Sequence, residues 1–233
     1  MRPPIQLVCL DMAGTTVEDA GAVLTAFRTA LDAAGLTPGT PEFEAGVQYA
    51  VDTMGQSKIE VFRFLTGGDE PRARRANEAF ESAYAESLTA DGVRPVPGAA
   101  DTIEKLRSAG RQVVLTTGFS PATRDRIIDA LGWRELVTLA LSPADAGRGR
   151  PWPDMLLTAV LRTGTDSVTQ LAAVGDTTSD LLAGHRAGAA VIAGVRTGTH
   201  TDTDFAPVPH THVLDSVADL PAALDAHDQG DMQ

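Results

Sequence analysis

Cysteine is nearly absent, with Cys9 the only one in 233 residues. A single thiol excludes an internal disulfide and any metal centre built from several cysteines. Positive charge is also scarce. Nineteen Lys and Arg stand against 31 Asp and Glu, for a net charge of −12, a balance that repels a phosphate backbone. Nucleic acid and anionic membrane are therefore not expected as partners, and an anionic small substrate needs a local cation or metal against that field. Long hydrophobic runs are missing too. After Met1-Arg2-Pro3-Pro4, the apolar stretch from Ile5 to Leu10 is far too short for a signal peptide or a membrane span, so the expected location is cytoplasmic. No repeat or low-complexity tract occurs, and 43% hydrophobic with 21% charged residues is the composition of a globular chain. The length suits one core domain of ordinary size plus a smaller insertion.

Short Val/Leu-rich runs read as buried strands: Leu7 to Leu10, Val113 to Leu115, Leu136 to Leu141, Leu171 to Val174 and Val191 to Val195. Between the later ones lie segments of helical period with start or stop signals, such as Ile103 and Leu106 before Gly110, and Ser120-Pro121 opening a run through Ile127, Ile128 and Leu131 to Gly132. Strands alternating with helices argue for right-handed crossovers and a parallel sheet covered on both faces. From about residue 19 to 92 the pattern changes. Val23, Phe27, Ala30, Leu31 and Ala34 recur at helical spacing, as do Ala76, Phe80, Ala83, Tyr84 and Leu88, with no strand-like alternation. The expected organisation is thus a doubly wound α/β core over residues 1–18 and 93–233, interrupted by a helical cap over 19–92. Arg94-Pro95-Val96-Pro97-Gly98 is the expected return hinge, and His227 to Gln233 an expected frayed tail.

In a doubly wound sheet, ligands bind outside the carboxyl ends of the strands. The residues there are Asp11, then Thr116-Thr117-Gly118, then Gly175-Asp176, with Asp180 four residues on and able to face the same site if a helix starts between. Paired aspartates with backbone oxygens suit Mg²⁺. Gly14, Thr15 and Thr16 are candidate N–H and hydroxyl donors to a phosphoryl group, and Arg150 is the candidate cation. Cys9, Trp152 and Met155 read as packing residues, and His185, His200, His210 and His212 as surface or packing residues.

Asp11-Met12-Ala13-Gly14-Thr15-Thr16, Thr116-Thr117-Gly118, Gly149-Arg150-Pro151 and Gly175-Asp176-Thr177-Thr178-Ser179-Asp180 resemble, in order and spacing, the four motifs of the haloacid dehalogenase (HAD) superfamily. The resemblance covers nearly the whole chain and implies a Rossmann-like core with the helical block as an inserted cap. Most phosphatases of that superfamily carry a second aspartate two residues after the nucleophile and a lysine in the third motif, where this chain has Ala13 and Arg150. Both departures, with the run Ala13 to Val17, look like the phosphonoacetaldehyde hydrolase (phosphonatase) family. Met54-Gly55-x-x-Lys58 is similar to the segment holding that family's Schiff-base lysine. Two further positions differ from it. Val61 stands where that family has a histidine, and its hinge cysteine is replaced around Gly21 and Ala22.

The resemblance implies the following roles. Asp11 attacks phosphorus to give an aspartyl-phosphate, while Mg²⁺ sits on Asp11, the Ala13 carbonyl, Asp176 and Asp180. Thr15, Arg150 and one of Thr116 and Thr117 hold phosphoryl oxygens. Lys58, beside Met54 and Gly55, forms a Schiff base. A homodimer through the cap is also implied. The pairing of Ala13 with Lys58 is chemically coherent. An alkoxide leaving group needs a general acid, which alanine cannot be, whereas a carbon leaving group needs an iminium to accept its electrons. Lys58 would share a helical face with Val61, Phe62 and Leu65 if Ser57 or Gly55 starts that helix, and desolvation there lowers an amine's pKa. The leading expectation is hydrolysis of phosphonoacetaldehyde or a related small phosphonate. Alternatives are a small-molecule phosphomonoester phosphatase and a catalytically weak binding protein of the same fold, the latter disfavoured by an intact Asp11, Asp176 and Arg150.

Overall fold

The computed structural model describes residues 3–19, 21–90 and 92–230, without the side chains of 88–90, so the expected role of Leu88 lies outside the described residues. Among these, six strands form one sheet: β1 (Leu7–Asp11), β2 (Gln112–Thr116), β3 (Leu139–Leu141), β4 (Leu171–Gly175), β5 (Val191–Val195) and β6 (His212–Leu214). All neighbours are parallel, in the order β3-β2-β1-β4-β5-β6, so the strand order reverses beside β1. That is the Rossmann-like α/β fold, and its ligand crevice opens where β1, β2 and β4 end. Four helices follow β1, namely α1 (Ala22–Ala33), α2 (Pro41–Asp52), α3 (Lys58–Leu65) and α4 (Glu70–Ala90). The rest of the chain adds α5 (Ala99–Ser108), α6 (Pro121–Leu131), α7 (Pro143–Ala146), α8 (Asp154–Thr163), α9 (Thr178–Ala187), α10 (Asp202–Phe205) and α11 (Leu220–Gln229).

Strand alternation sorts the core into two layers. Val8, Leu10, Val113 and Leu115 face Ile103 and Leu106 of α5. Leu7, Cys9 and Val114 face Met155 and Leu156 of α8 and Ala183 of α9, with the Cys9 thiol pushed up by burial. The first of these layers continues into the helical block, through Val23, Phe27, Phe62 and Phe80. Phe80 lies among Phe27, Phe62, Tyr84 and Phe119, its ring centroid 4.9 Å from that of Phe27. Phe119 follows β2, so this stack joins the helices to the sheet. The two connections between them run side by side. The Glu18 N–H donates to the Arg94 carbonyl at 2.9 Å and the Val96 N–H to the Thr16 carbonyl at 3.0 Å.

Two expectations need correction, and one strand was not foreseen. The run from Leu136 is strand only over Leu139–Leu141, because Leu136 is held in a turn by its N–H to the Trp133 carbonyl. Strand β6 carries no apolar run, since its three residues are half-buried at the sheet edge. The tail is helical through Gln229, fixed by Asp228, which accepts from the Ile5 N–H at 3.0 Å and from Arg111 at 3.0 Å. Residues 231–233 lie outside the described residues.

Phe80→Ala removes the ring at the centre of the stack. It should lower unfolding free energy by roughly 3–5 kcal/mol, read from the denaturant midpoint; a loss below about 1 kcal/mol would show that the stack does not tie the helices to the sheet.

Candidate active site

Each carboxylate reaches the crevice because a strand stops there. Asp11 ends β1, paired in register with Thr116 at the end of β2. Asp176 follows Gly175, the last residue of β4, and Asp180 sits in the first turn of α9. Asp180 closes a capping box, accepting from the Thr177 N–H at 3.1 Å and the Thr177 hydroxyl at 2.5 Å. Asp176 accepts from the Thr199 N–H at 2.8 Å. One ligand oxygen from each of Asp11, Asp176 and Asp180 lies within 4.8 Å of the others, and all three residues are buried.

Arg150 answers part of that charge. Its Nη1 lies 2.6 Å from Asp11 Oδ1 and also contacts Asp180 Oδ1. Its Nε is buried with no hydrogen-bond partner among the described residues, leaving a donor for another oxygen. Burial pushes the Asp11 carboxyl up to about 6, against the pull of Arg150 and with a further push from Asp180. Asp176 is raised well above the usual carboxylate range by burial and by its two acidic neighbours. Three clustered carboxylates with one guanidinium form a donor set short of positive charge, and with the half-buried Ala13 beside them they fit a hard divalent cation.

Lys58 arrives from the helical block. Ser57 is the N-cap of α3, and Lys58, Val61 and Phe62 are buried on its inner side as expected, with Leu65 partly buried against the core. Lys58 is 5% exposed, and its Nζ sits 5.3, 5.8 and 5.6 Å from the ring centroids of Phe27, Phe80 and Phe119. No hydrogen bond or ion pair holds the amine among the described residues. Burial lowers its pKa to about 8, helped by Arg150 and opposed by Asp11, Asp19 and Glu81. Backbone meets backbone beside it. A Cβ on Gly118 would lie 2.5 Å from the Gln56 carbonyl oxygen, and one on Gly55 (φ +82°) 2.6 Å from Thr177 Oγ1, so only glycine lets the α2–α3 loop seat against the core.

These groups line one cavity of about 30 Å³, which contains Asp11, Ala13, Met54, Gly55, Lys58, Thr117, Gly118, Arg150 and Asp176. Other expected residues lie elsewhere. The Gly14 N–H donates to the Val17 carbonyl and the Thr15 N–H to the Met12 carbonyl, while the Thr15 hydroxyl reaches Asp176 Oδ1 at 3.5 Å. Their N–H donors are committed within the loop that follows β1, and the Thr15 hydroxyl turns to Asp176. Thr116 lines a second small pocket with Cys9, Met155, Arg150 and Asp180, while Thr117 lines the cavity with Asp11. Residues without an expected role also appear there: Asp19, Phe119, Thr177 and Thr199. Of these only Asp19 carried a sequence signal, an acidic residue just ahead of a helix. His200, expected at the surface or in packing, accepts from the Thr178 N–H at 3.0 Å and so helps hold the start of α9.

A family model for haloacid dehalogenase-like hydrolases matches residues 5–188, and the chain belongs to that family. It is a hydrolase of the HAD class. Among its relatives is the "Probable phosphatase IndB" of Dickeya dadantii, 27% identical, with the match covering 97% of this chain and 95% of that one. A phosphonoacetaldehyde hydrolase from Pseudomonas fluorescens is 27% identical over 79% of this chain and 70% of its own. The crystal structure of a phosphonoacetaldehyde hydrolase-like protein from Oleispira antarctica superimposes with a TM-score of 0.79 at 22% identity, covering 98% of this chain and 94% of that one, a likeness of fold. No described helix is long and apolar enough to cross a membrane.

The buried amine has a cost that pH should reveal. In the unfolded chain Lys58 holds its proton up to about 10.5, in the folded chain only up to about 8. Between those values the unfolded state binds more protons, so stability rises with pH; below both, the fold carries an unpaired charge. Lys58→Met should therefore stabilise the protein at pH 7 by roughly 3 kcal/mol. The gain should shrink as pH rises from 8 to 10, measured by urea unfolding of both proteins; a gain over wild type that is the same at both ends would place the amine in water.

Proposed function

We propose that the chain hydrolyses the carbon–phosphorus bond of phosphonoacetaldehyde or a related small phosphonate, using Asp11 as nucleophile and Lys58 as Schiff-base amine. The observation that carries this reading is Lys58 Nζ, buried among three aromatic rings in the cavity that holds Asp11. Desolvation without a bonded counterion favours the neutral amine, the form that attacks an aldehyde. Ala13, at the position where a general acid would serve an alkoxide, is consistent with a carbon leaving group.

In this mechanism Lys58 condenses with the aldehyde to an iminium. An Asp11 oxygen attacks phosphorus, the P–C bond breaks, and its electrons move into the iminium as an enamine. Water then cleaves the aspartyl-phosphate. Arg150, with its open Nε, and Thr117 orient the phosphoryl oxygens. Asp11, the Ala13 carbonyl, Asp176 and Asp180 would hold Mg²⁺, whose chemistry here is neutralisation of charge between two anions. Because the cavity has room for only about one or two waters, substrate entry requires the helical block to swing on its paired connections near Val17 and Pro95.

One observation favours a phosphate ester instead. A cleft of about 540 Å³ opens beside Lys58, Phe119 and Arg150, walled by Ile59, Asn77 and Trp152, and it exceeds what a two-carbon aldehyde needs. A phosphatase reading would place a larger leaving group there.

Asp11→Asn should keep the fold by circular dichroism and lose turnover on the order of 10⁴-fold or more, since an amide is a poor nucleophile. Chelation should stop the wild-type enzyme and added Mg²⁺ restore it; full activity after exhaustive chelation would refute the metal assignment.

The two chemistries separate at Lys58. With phosphonoacetaldehyde, borohydride should trap a covalent adduct on Lys58, and Lys58→Arg should abolish carbon–phosphorus cleavage because a guanidinium stays charged. No adduct, together with turnover of a phosphate ester by Lys58→Arg, would establish the phosphatase.

A further inference from the structure

We infer that Asp19 is the acid–base residue for the imine chemistry at Lys58, an inference that rests on the Schiff-base reading. Forming an imine requires loss of water from a carbinolamine, and the departing oxygen must gain a proton. The cavity of Lys58 limits which group can give it. The charged groups that act on the amine are Arg150, Asp11, Asp19 and Glu81. Arg150 holds its proton permanently, its pKa raised by its carboxylate partners despite burial. Asp11 is the nucleophile and is ion-paired to Arg150. Glu81 is committed elsewhere, accepting from the Ser120 N–H at 3.3 Å, from the Ser120 hydroxyl at 2.7 Å and from the Thr123 hydroxyl at the start of α6.

Asp19 remains. It lines the same cavity as Lys58 and Asp11, in the connection from β1 to α1. Its Oδ1 accepts from the Val23 N–H at 3.0 Å, and no side chain bonds its other oxygen among the described residues. Burial raises its pKa, opposed by its hydrogen bonds to the start of α1 and by Lys58, and the buried Tyr84 is also within its field. Burial thus favours its protonated form more than it would that of an exposed carboxyl. In the forward step the neutral Lys58 amine forms an N–C bond with the aldehyde carbon, whose oxygen takes up the amine's proton. The C–O bond then breaks as Asp19 donates its proton and water leaves, giving the iminium and the Asp19 carboxylate. After phosphoryl transfer the enamine carbon takes up the proton released by the water that cleaves the aspartyl-phosphate, and a second water adds to the iminium of the product. Asp19 takes a proton back from that water, and the amine is released.

A helix cap is the other role open to Asp19, and the two roles make different predictions. Asparagine and serine cap about as well as aspartate but cannot supply this proton. The full-length Mg²⁺ enzyme is mixed with phosphonoacetaldehyde, quenched with borohydride over time, and the adduct on Lys58 counted by peptide mass spectrometry. Asp19→Asn and Asp19→Ser should keep the melting temperature and trap at rates lower by roughly 10²-fold or more. Asp19→Glu should recover part of the rate, and the fall of the wild-type trapping rate at high pH should vanish in Asp19→Asn. Trapping as fast in Asp19→Asn or Asp19→Ser as in wild type overturns the assignment to Asp19 and leaves Lys58 in place. No adduct in the wild type instead removes the Schiff base, and the role of Asp19 with it.

Discussion

Burial of Asp11, Asp176 and Asp180 against the single guanidinium of Arg150 is the constraint around which the molecule is arranged. Withdrawing several charges from water is expensive, and one cation cannot repay it for three anions. The fold meets the cost by placing the carboxylates where oriented N–H groups already point. Asp176 takes the Thr199 N–H, and Asp180 takes the Thr177 N–H at the start of α9. The remaining imbalance appears as raised pKa values at Asp11 and Asp176. A cluster left short of positive charge in this way could hold a metal ion.

The helical block imposes the complementary condition. A carboxylate cluster open to water would attract a cation but would not depress an amine's pKa. With Phe27 and Phe80 from the helices and Phe119 from the sheet around Lys58 Nζ, the amine is buried while Asp11 stays in the same cavity. The close approaches at Gly55 and Gly118 make this possible, since a single methyl at either would hold the α2–α3 loop away from the core. Packing and chemistry are thus coupled, because the stack that stabilises the helices against the sheet also sets the polarity around Lys58.

The sequence made the strand-end carboxylates legible because their signal is local. An apolar run that stops at Asp11 or Gly175-Asp176 can be seen without knowing what packs on it. Lys58 was legible through the resemblance of Met54-Gly55-x-x-Lys58 to the lysine segment of the phosphonatase family, and its buried helical face follows from Val61 and Phe62. What stayed hidden depends on long-range partners. Whether the N–H groups of Gly14 and Thr15 are free depends on the carbonyls of Val17 and Met12 turning back on them. Which of Thr116 and Thr117 lines the cavity with Asp11 depends on how the chain leaves the end of β2. Strand β6 is an edge of three half-buried residues with no apolar run to announce it. Asp19 sits where the sheet hands over to the helices, and only its place ahead of a helix marks it, a signal that says nothing of the cavity it lines.

The identity of the residue at 58 carries weight beyond its position. Seventeen of the nineteen basic residues are arginine, and the two lysines are Lys58 and Lys105. Lys105 is exposed on α5, where either side chain would serve. At position 58 the difference matters, because a guanidinium enclosed by three phenyl rings would remain charged at any accessible pH, whereas an amine can shed its proton. A merely structural cation at this place would be expected to find a carboxylate partner, as Arg63 and Arg111 do. Lys58 has none among the described residues, although Asp11, Asp19 and Glu81 all act on it from nearby. A buried amine that neighbouring carboxylates influence without pairing costs stability, and that cost is intelligible if the neutral form is the one the protein uses.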